Sequence, residues 1–132
     1  MSLTEEERNA IITLRVQKAQ ESLLEAKDIM KLGHWRVTAN RLYYACYYVS
    51  IALLIKFGFF AKTHSGVVNL LGLHFVSQGI ISKEQGKFYS KLFELRQSGD
   101  YDDWAIIESV DVLPLITPAE EYIYTIKKLI ES

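Results

Sequence analysis

Apolar residues recur along the first thirty positions at alternating spacings of four and three. This period places them along one side of a helix and predicts a long first helix packed lengthwise against a neighbour. Thr4 and Glu7 match the capping-box pattern at its start, and Gly33 follows as a C-terminal stop. The members of this apolar seam are Ile12, Val16, Ala19, Leu23, Ala26 and Met30.

The second predicted helix runs from Trp35 to Phe57 and is apolar almost all round. A helix with this pattern is typically surrounded by others at the centre of a bundle. Its uncharged run from Leu42 to Ile55 has 14 residues, which is too short to cross the hydrocarbon of a bilayer. The acidic start "MSLTEEERNA" is unlike a signal peptide. We therefore expect no membrane association and a cytoplasmic location.

Two more helices are predicted after the segment "FFAKTHSG", which interrupts the apolar pattern. Thr63 or Ser65 can cap the third helix, because either side chain can accept a hydrogen bond from a free backbone N–H group. Ser82 and Gln85 repeat the capping-box pattern at the start of the fourth helix, and Gly99 is predicted to end it.

The last helix is predicted to begin at Thr117, with Pro118 at its first position, and to reach Leu129. The segment before it, "DYDDWAIIESVDVLPLI", is acidic and lacks a clean periodicity. The chain contains no β-hairpin dipeptide and no internal repeat, and the connections are short. The pattern predicts an all-α antiparallel up-and-down bundle of four to five helices, formed by one domain over residues 1–132.

Charge and composition narrow the classes of partner. The formal net charge is −1, so no broad basic surface can hold nucleic acid through counterion release alone. Contact with phosphate or RNA would require a few cationic side chains focused in a groove. The one cysteine, Cys46, cannot form an internal disulfide, and its place in the apolar run indicates a buried thiol.

Three segments are similar in order and spacing to those of the HEPN domains: "ANRLYYACYYVSIALL", "KTHSGVVNLLGLHFV" and "KLFELRQSGDYDDW". The chain resembles in particular the small stand-alone bacterial and archaeal branch, over roughly residues 10–130. The resemblance implies an all-α bundle that usually forms a homodimer. HEPN domains are often encoded beside a minimal nucleotidyltransferase, and many act as metal-independent ribonucleases or toxins.

The active-site signature of the family is an arginine followed four to six residues later by a histidine. Arg96 matches the arginine, and Gln97 holds the polar position that commonly follows it. No histidine follows at an allowed distance, and Tyr101 stands in its place. Some toxins of the family add a tyrosine two residues further on, which the partner nucleotidyltransferase can modify with AMP. Asp103 stands in that place here.

Metal-independent RNA cleavage requires one group that accepts the 2′-hydroxyl proton and one that protonates the leaving oxygen. Arg96 suits a third task, because a guanidinium can donate two hydrogen bonds to the charge that builds on the phosphate. Tyr101 suits proton transfer less well than a histidine, because an unperturbed phenol titrates near ~10. The alternative for Arg96 is a structural ion pair with Asp100 or Asp102.

Histidine from elsewhere in the chain is a second source of acid–base chemistry. His64 precedes the third helix, where free backbone amides and Lys62 could hold an anion. The alternative is a surface histidine that neighbours a helix cap. His34 and His74 pair with no other ligand at metal spacing, so we expect no metal and no cofactor.

The tyrosines of the second helix divide between two faces. At about 100° per residue, Tyr43 and Tyr47 fall on one face, and Tyr44 and Tyr48 fall on the adjacent one. Arg41 lies three residues before Tyr44 and shares that second face.

Two interpretations of this second face remain open. In one, the tyrosines fill the core with their hydroxyls at its edge, and Arg41 pairs with a carboxylate such as Asp100. In the other, the face is one wall of a polar cleft near Arg96 that holds a phosphate and stacks a base. The residues predicted to bind nucleotide or RNA are Arg41, Tyr44, Tyr48, Lys62, Gln97 and Asp100, and those predicted to act in catalysis are Arg96, Tyr101 and His64.

Three functions fit these features. The first is a dimeric partner of a minimal nucleotidyltransferase in a toxin–antitoxin-type module, which binds nucleotide or RNA without cutting it. In that case Tyr101 is a candidate to receive AMP. The second is a metal-independent ribonuclease toxin, and the third is an interaction scaffold without a ligand. The homodimer interface is predicted from apolar residues in excess of what one small bundle needs, which are Leu53, Leu54, Phe57, Phe59 and Phe60.

Overall fold

The computed structural model describes residues 3–132, and within that range the chain forms helices and no strand. The predicted all-α bundle is confirmed. A π-helical turn, Gly72–Val76, extends α3, and a 3₁₀ turn, Leu113–Leu115, joins α5 to α6. The helices are α1 (Glu5–Met30), α2 (Trp35–Lys56), α3 (His64–Leu71), α4 (Lys83–Tyr101), α5 (Ser109–Val112) and α6 (Ile116–Glu131).

Helix α2 occupies the centre of the bundle, as its apolar pattern predicts. It packs against α1, α4 and α6 and also contacts α3. Leu42, Cys46 and Val49 are fully buried along it, which confirms the prediction for the thiol. Neither α2 nor any other helix within residues 3–132 combines the length and apolar content needed to span a bilayer. Because α2 is central, the tyrosines that it carries meet several other helices at once.

Side-chain caps begin α1 and α3 where the sequence predicts them. Glu7 N donates to Thr4 Oγ1 over 3.0 Å, and Thr4 N donates to Glu7 Oε1 over 2.9 Å. At the start of α3, Gly66 N donates to Thr63 Oγ1 over 2.9 Å, so Thr63 rather than Ser65 is the cap. These bonds satisfy N–H groups that have no partner within the helix. The cap at Thr63 fixes where α3 begins, and therefore where His64 lies.

The predicted capping box at the start of α4 is only half correct. Ser82 Oγ accepts the N–H of Gln85 over 3.1 Å, as expected. The Gln85 side chain does not return to the cap but donates to Thr125 Oγ1 on α6 over 3.0 Å. A tertiary partner has therefore replaced the local one.

The prediction that Gly99 ends α4 is wrong, because the helix continues to Tyr101. Gly99 is buried against the segment that follows α4. A Cβ atom at this position would lie 2.6 Å from Ile107 Cδ1 and 3.2 Å from Arg36 Cγ. The glycine thus allows a close approach of neighbouring residues and does not act as a helix stop. The extra turn places Asp100 and Tyr101 on the same helix as Arg96.

The predicted start of the last helix at Thr117 is also wrong. Helix α6 begins at Ile116, and the chain before it is already helical from Ser109 through the 3₁₀ turn. Pro118 is therefore the third residue of α6 and not the first. It is still tolerated, because the first-turn N–H groups of a helix need no partner within that helix.

The apolar surface predicted for a homodimer is smaller than the sequence suggested. Leu53 and Leu54 belong to the core, with 0% and 1% of their surface exposed, so they cannot contribute to an interface. Phe57 and Phe60 are exposed, and Phe59 packs partly against the core. The homodimer stays a prediction.

Candidate functional site at Arg96 and His64

Arg96 lies in the last part of α4 with 8% of its surface exposed. Its Nη2 atom donates to Tyr44 Oη over 2.8 Å. Its Nε atom lies 3.0 Å from Asp100 Oδ2, one helical turn further on. This contact is an ion pair and not a hydrogen bond, because the Nε–H group is not directed at the oxygen. Of the two carboxylates proposed as structural partners, the structure selects Asp100.

Three tyrosine rings enclose the guanidinium. The Cζ atom of Arg96 lies 5.2 Å from the ring centroid of Tyr43, 5.1 Å from that of Tyr44 and 5.5 Å from that of Tyr101. We call these three residues the tyrosine cage. Cation–π attraction stabilises a charge held in this way. The site is therefore more enclosed than the open cleft that the sequence suggested.

One guanidinium nitrogen of Arg96 remains available. Within residues 3–132, Nη1 makes no hydrogen bond and no ion pair, and it is not among the fully enclosed polar atoms. Tyr101, whose ring centroid lies 5.5 Å from the guanidinium carbon, is the last residue of α4 and is 72% exposed. Two rings of the cage, those of Tyr43 and Tyr44, come from the central helix α2, and the third comes from the exposed end of α4.

His64, the first residue of α3, contacts two tyrosines of the same cage, Tyr43 and Tyr44. Its Nδ1 atom forms a 2.7 Å hydrogen bond with Tyr43 Oη. Its ring stacks on Tyr47 at a centroid distance of 4.4 Å and meets the edge of Tyr44 at 5.9 Å. Arg96 and His64 thus contact two tyrosines in common, Tyr43 and Tyr44. The structure brings together two predicted catalytic residues from separate helices.

The electrostatic environment sets the protonation states of His64 and Tyr43. Burial and then the positive charge of Arg96 lower the pKa of His64 below its usual value of 6.5, so the imidazole is neutral at pH 7. Burial raises the pKa of the Tyr43 phenol, which therefore keeps its proton. In the tautomer whose Nδ1–H donates to Tyr43, the Nε2 lone pair of His64 can accept a proton.

Arg41 does not pair with Asp100, contrary to one interpretation of the sequence. Its Nε and Nη2 atoms donate to Asn40 Oδ1 over 3.1 and 2.8 Å, and its Nη1 atom lies 3.4 Å from Glu25 Oε1. Asn40 Nδ2 in turn donates to Asp100 Oδ2 over 2.9 Å. The amide of Asn40 therefore links the two groups. Arg41 still belongs to the site, because its guanidinium lies 5.2 Å from the Tyr44 ring.

The remaining predicted residues lie at the edge of the site or outside it. Tyr48 is half-buried, with its ring 5.8 Å from that of Tyr44 and 5.7 Å from Lys18 Nζ. Lys62 and Gln97 are exposed, and neither makes a side-chain hydrogen bond to the part of the chain that the structure describes. Their roles in binding stay predictions.

Sequence reasoning missed Tyr43, Tyr47 and Asn40 as parts of this site. The helical period correctly placed Tyr43 and Tyr47 on one face, and their rings stack 5.7 Å apart. Spacing alone does not show which neighbouring helix a face meets, so the contact with His64 was not visible. The buried Tyr43 hydroxyl was the available signal, because a buried hydroxyl needs a partner.

The chain matches the family model of the HEPN domain over residues 12–130. It is 38% identical to a "UPF0332 protein" of Thermotoga maritima, over 96% of each chain. It is 32% identical to "Putative toxin MJ0605" of Methanocaldococcus jannaschii, over 89% of this chain and 87% of that protein. A "UPF0332 protein" of Archaeoglobus fulgidus is 24% identical over 92% of this chain and 96% of its own length. On the strength of the family model and these relatives, the chain belongs to the HEPN domain family.

Proposed function

We propose that this protein acts on RNA as the toxin-type component of a two-protein module. Arg96 binds a phosphate, and His64 supplies the histidine that is missing after Arg96. The observation that carries the proposal is that Arg96 and His64 contact the same two tyrosines, Tyr43 and Tyr44. The name of the Methanocaldococcus jannaschii relative supports the toxin-type role.

In the first step, an RNA phosphate binds at Nη1 of Arg96. This nitrogen still has its hydrogen-bonding capacity, while the other contacts of Arg96 with Tyr44 and Asp100 hold the guanidinium in place. The exposed ring of Tyr101, 5.5 Å from the guanidinium carbon, lies beside the bound phosphate. The attraction between the guanidinium and the phosphate is strong because Arg96 lies where most water is excluded, and the charge of Asp100 opposes part of this attraction.

In the second step, His64 acts as the general base. Its neutral imidazole accepts the 2′-hydroxyl proton at Nε2, and the 2′-oxygen attacks the adjacent phosphorus. The bond to the 5′-oxygen breaks, and a water molecule protonates that oxygen. The products are a 2′,3′-cyclic phosphate and a 5′-hydroxyl end. Arg96 stabilises the charge that builds on the phosphate oxygens between these events.

The test is cleavage of single-stranded RNA in the presence of EDTA. The wild-type protein should produce 2′,3′-cyclic phosphate ends, and RNA with 2′-deoxyribose should remain intact. Replacing His64 by Asn or Arg96 by Met should slow cleavage about a hundredfold or more. Tyr124→Phe, which alters an exposed side chain on α6, serves as the control. Intact RNA with the wild-type protein, or an active His64→Asn variant, would contradict the mechanism.

A second candidate function is supported by the exposure of Tyr101. Its side chain is 72% exposed, so its hydroxyl is accessible to a partner enzyme. In this function, a minimal nucleotidyltransferase transfers AMP from ATP to the phenol oxygen and releases pyrophosphate. The added phosphate would lie beside Arg96 and occupy the position of the RNA phosphate.

Mass spectrometry distinguishes this second function from the first. Incubation with ATP and a nucleotidyltransferase of the same organism should add the mass of one AMP to the wild-type protein and none to Tyr101→Phe. Tyr124→Phe removes the hydroxyl of another exposed tyrosine and should still be modified. Modification of Tyr101→Phe to the same extent would place the acceptor elsewhere.

A further inference from the structure

A cavity of about 270 Å³ opens beside His64, between α1, α2 and the segment that leads into α3. Three aromatic residues line it, namely Tyr47, Phe59 and Phe60, together with Arg15 of α1 and Ala61. Tyr47 is common to the cavity and to the site, because its ring also stacks on His64 at 4.4 Å. The cavity is therefore adjacent to the proposed reaction centre.

Arg15 brings an unpaired positive charge to this cavity. It forms none of the ion pairs found within residues 3–132. Its Nε atom is enclosed and has no hydrogen-bond partner among these residues. Its Nη1 and Nη2 atoms also make no hydrogen bond among these residues and are not among the enclosed atoms, so these two nitrogens can reach an anion in the cavity. Arg15 is thus able to bind an anion.

Aromatic rings and an arginine are the groups that proteins use to hold unpaired nucleotides. Bases stack on aromatic side chains, whereas the guanidinium binds the backbone phosphate. Phe60 is 59% exposed, which leaves its ring open to a ligand. The net charge of −1 is compatible with such a site, because the cationic groups need to be present only locally.

We propose that this cavity is a subsite for a nucleotide next to the scissile phosphate, and that it makes the protein select single-stranded RNA. The base stacks against Phe60 and Tyr47, and Arg15 binds the phosphate of the same nucleotide. This inference rests on the proposed function, because it extends the RNA strand from the site at Arg96 and His64. A base that is paired in a duplex cannot enter the cavity.

The experiment measures binding of a fluorescent 2′-O-methyl oligouridine of about ten residues, which cannot be cleaved because its 2′-oxygens are blocked. Arg15→Gln should weaken binding and reduce the slope of log K against log salt by about 0.7, the loss of one phosphate contact to a single strand. Arg15→Lys should restore the slope. Phe60→Ala should weaken binding about fivefold or more while the slope is unchanged, because it removes stacking and no charge.

Lys31→Gln is the matched control, since it removes one positive charge from the exposed end of the same helix. Position 31 lies about 24 Å from Arg15 along the axis of α1, so this variant should bind like the wild type. A hairpin duplex of the same length should bind more weakly than the single strand. The subsite is overturned if Arg15→Gln and Phe60→Ala both bind like Lys31→Gln, or if the wild-type protein does not bind the probe.

Cleavage of unmodified RNA distinguishes failure of the subsite from failure of the proposed ribonuclease mechanism. A protein that binds the probe through Arg15 and Phe60 but never cuts RNA retains the subsite and loses the ribonuclease mechanism. A protein that cuts RNA through His64, with binding unaffected in both variants, retains the mechanism and loses the subsite.

Discussion

Tyr43 Oη and His64 Nδ1 lie 2.7 Å apart, at the point where α2 meets the first residue of α3. The phenol is fully buried, and the imidazole is partly exposed. One nitrogen of the histidine is thereby held by the core of the bundle, while the other is available for chemistry. The same tyrosine ring lies 5.2 Å from the guanidinium carbon of Arg96. Tyr43 therefore positions the histidine relative to the arginine.

Tyr43→Phe should slow RNA cleavage without abolishing it. The variant keeps the ring that contacts Arg96 and removes the hydroxyl that orients His64. Loss of one orienting hydrogen bond corresponds to about two- to tenfold in the rate of the chemical step. Single-turnover cleavage at saturating protein measures that rate directly, with Tyr124→Phe as the control for removal of a hydroxyl. A rate equal to that of the control would show that the Tyr43–His64 bond does not contribute to catalysis.

The depressed pKa of His64 should make the protein less stable in mild acid. Above pH 6.5 the residue is neutral in both the folded and the unfolded chain, so it contributes nothing to the pH dependence. As the pH falls below 6.5, the unfolded chain binds the proton first, and stability decreases until the pH reaches the lower folded-state pKa. Below that pH the loss is complete and constant.

Urea unfolding of the wild type and of His64→Gln, at pH 7.5 and 5.5, measures this effect. The glutamine does not titrate. On going from pH 7.5 to pH 5.5, the wild type should therefore lose more unfolding free energy than His64→Gln. His34 and His74 are present in both proteins, and their contributions cancel. An equal loss of stability in both proteins on acidification would show that the pKa of His64 is not lowered in the folded state.

The sequence determined much of this fold, because helix periodicity and caps depend on local residues. The central place of α2 was predictable from residue spacing alone, and the sequence reduced the cap of α3 to Thr63 or Ser65, between which the structure decides. Gly99 and Gln85 were misread for one common reason: each is used for a tertiary contact, with Ile107 and Thr125 respectively. Local patterns carry no information about such partners.

The candidate site shows the same division between local and tertiary information. The family signature identified Arg96, and its spacing placed Asp100 one turn away. The meeting of His64 with Tyr43 depends instead on how α3 packs on α2. The contact between His64 and Tyr43 could not be predicted because the two residues are distant in the sequence. The same holds for Asn40, which links Arg41 to the distant Asp100.

A buried hydroxyl pair between α2 and α6 should show a strongly asymmetric response to mutation. Ser50 Oγ and Tyr122 Oη form a 2.6 Å hydrogen bond, and both residues are fully buried. Ser50→Ala leaves the Tyr122 hydroxyl without this partner and should lower the unfolding free energy by about 1–3 kcal/mol. The double variant with Tyr122→Phe removes both polar groups and should recover most of that loss. Urea unfolding of the four proteins provides the double-mutant cycle, and purely additive losses would contradict this interpretation.

Gly99 should couple energetically to Ile107, because a side chain at position 99 conflicts first with one atom of that residue. A Cβ atom would lie 2.6 Å from Ile107 Cδ1, whereas Arg36 Cγ is more distant at 3.2 Å. Gly99→Ala gains about 1 kcal/mol of helix propensity and loses more through overpacking, so we expect net destabilisation. Ile107→Val removes the conflicting Cδ1 atom and retains the rest of the side chain.

The alanine at position 99 should therefore be less destabilising, or even stabilising, when valine occupies position 107. Unfolding free energies of the wild type, both single variants and the double variant give the coupling energy. We expect the double variant to be more stable than the two single losses add up to, by about 0.5–3 kcal/mol. RNA cleavage reports the functional side, because Gly99 lies immediately before Asp100 on the turn of α4 that carries the partner of Arg96. If Gly99→Ala destabilises the protein equally with isoleucine and with valine at position 107, the steric conflict is with Arg36 and not with Ile107. The glycine would then be required by the contact of α4 with Arg36, and not by its contact with the segment that follows α4.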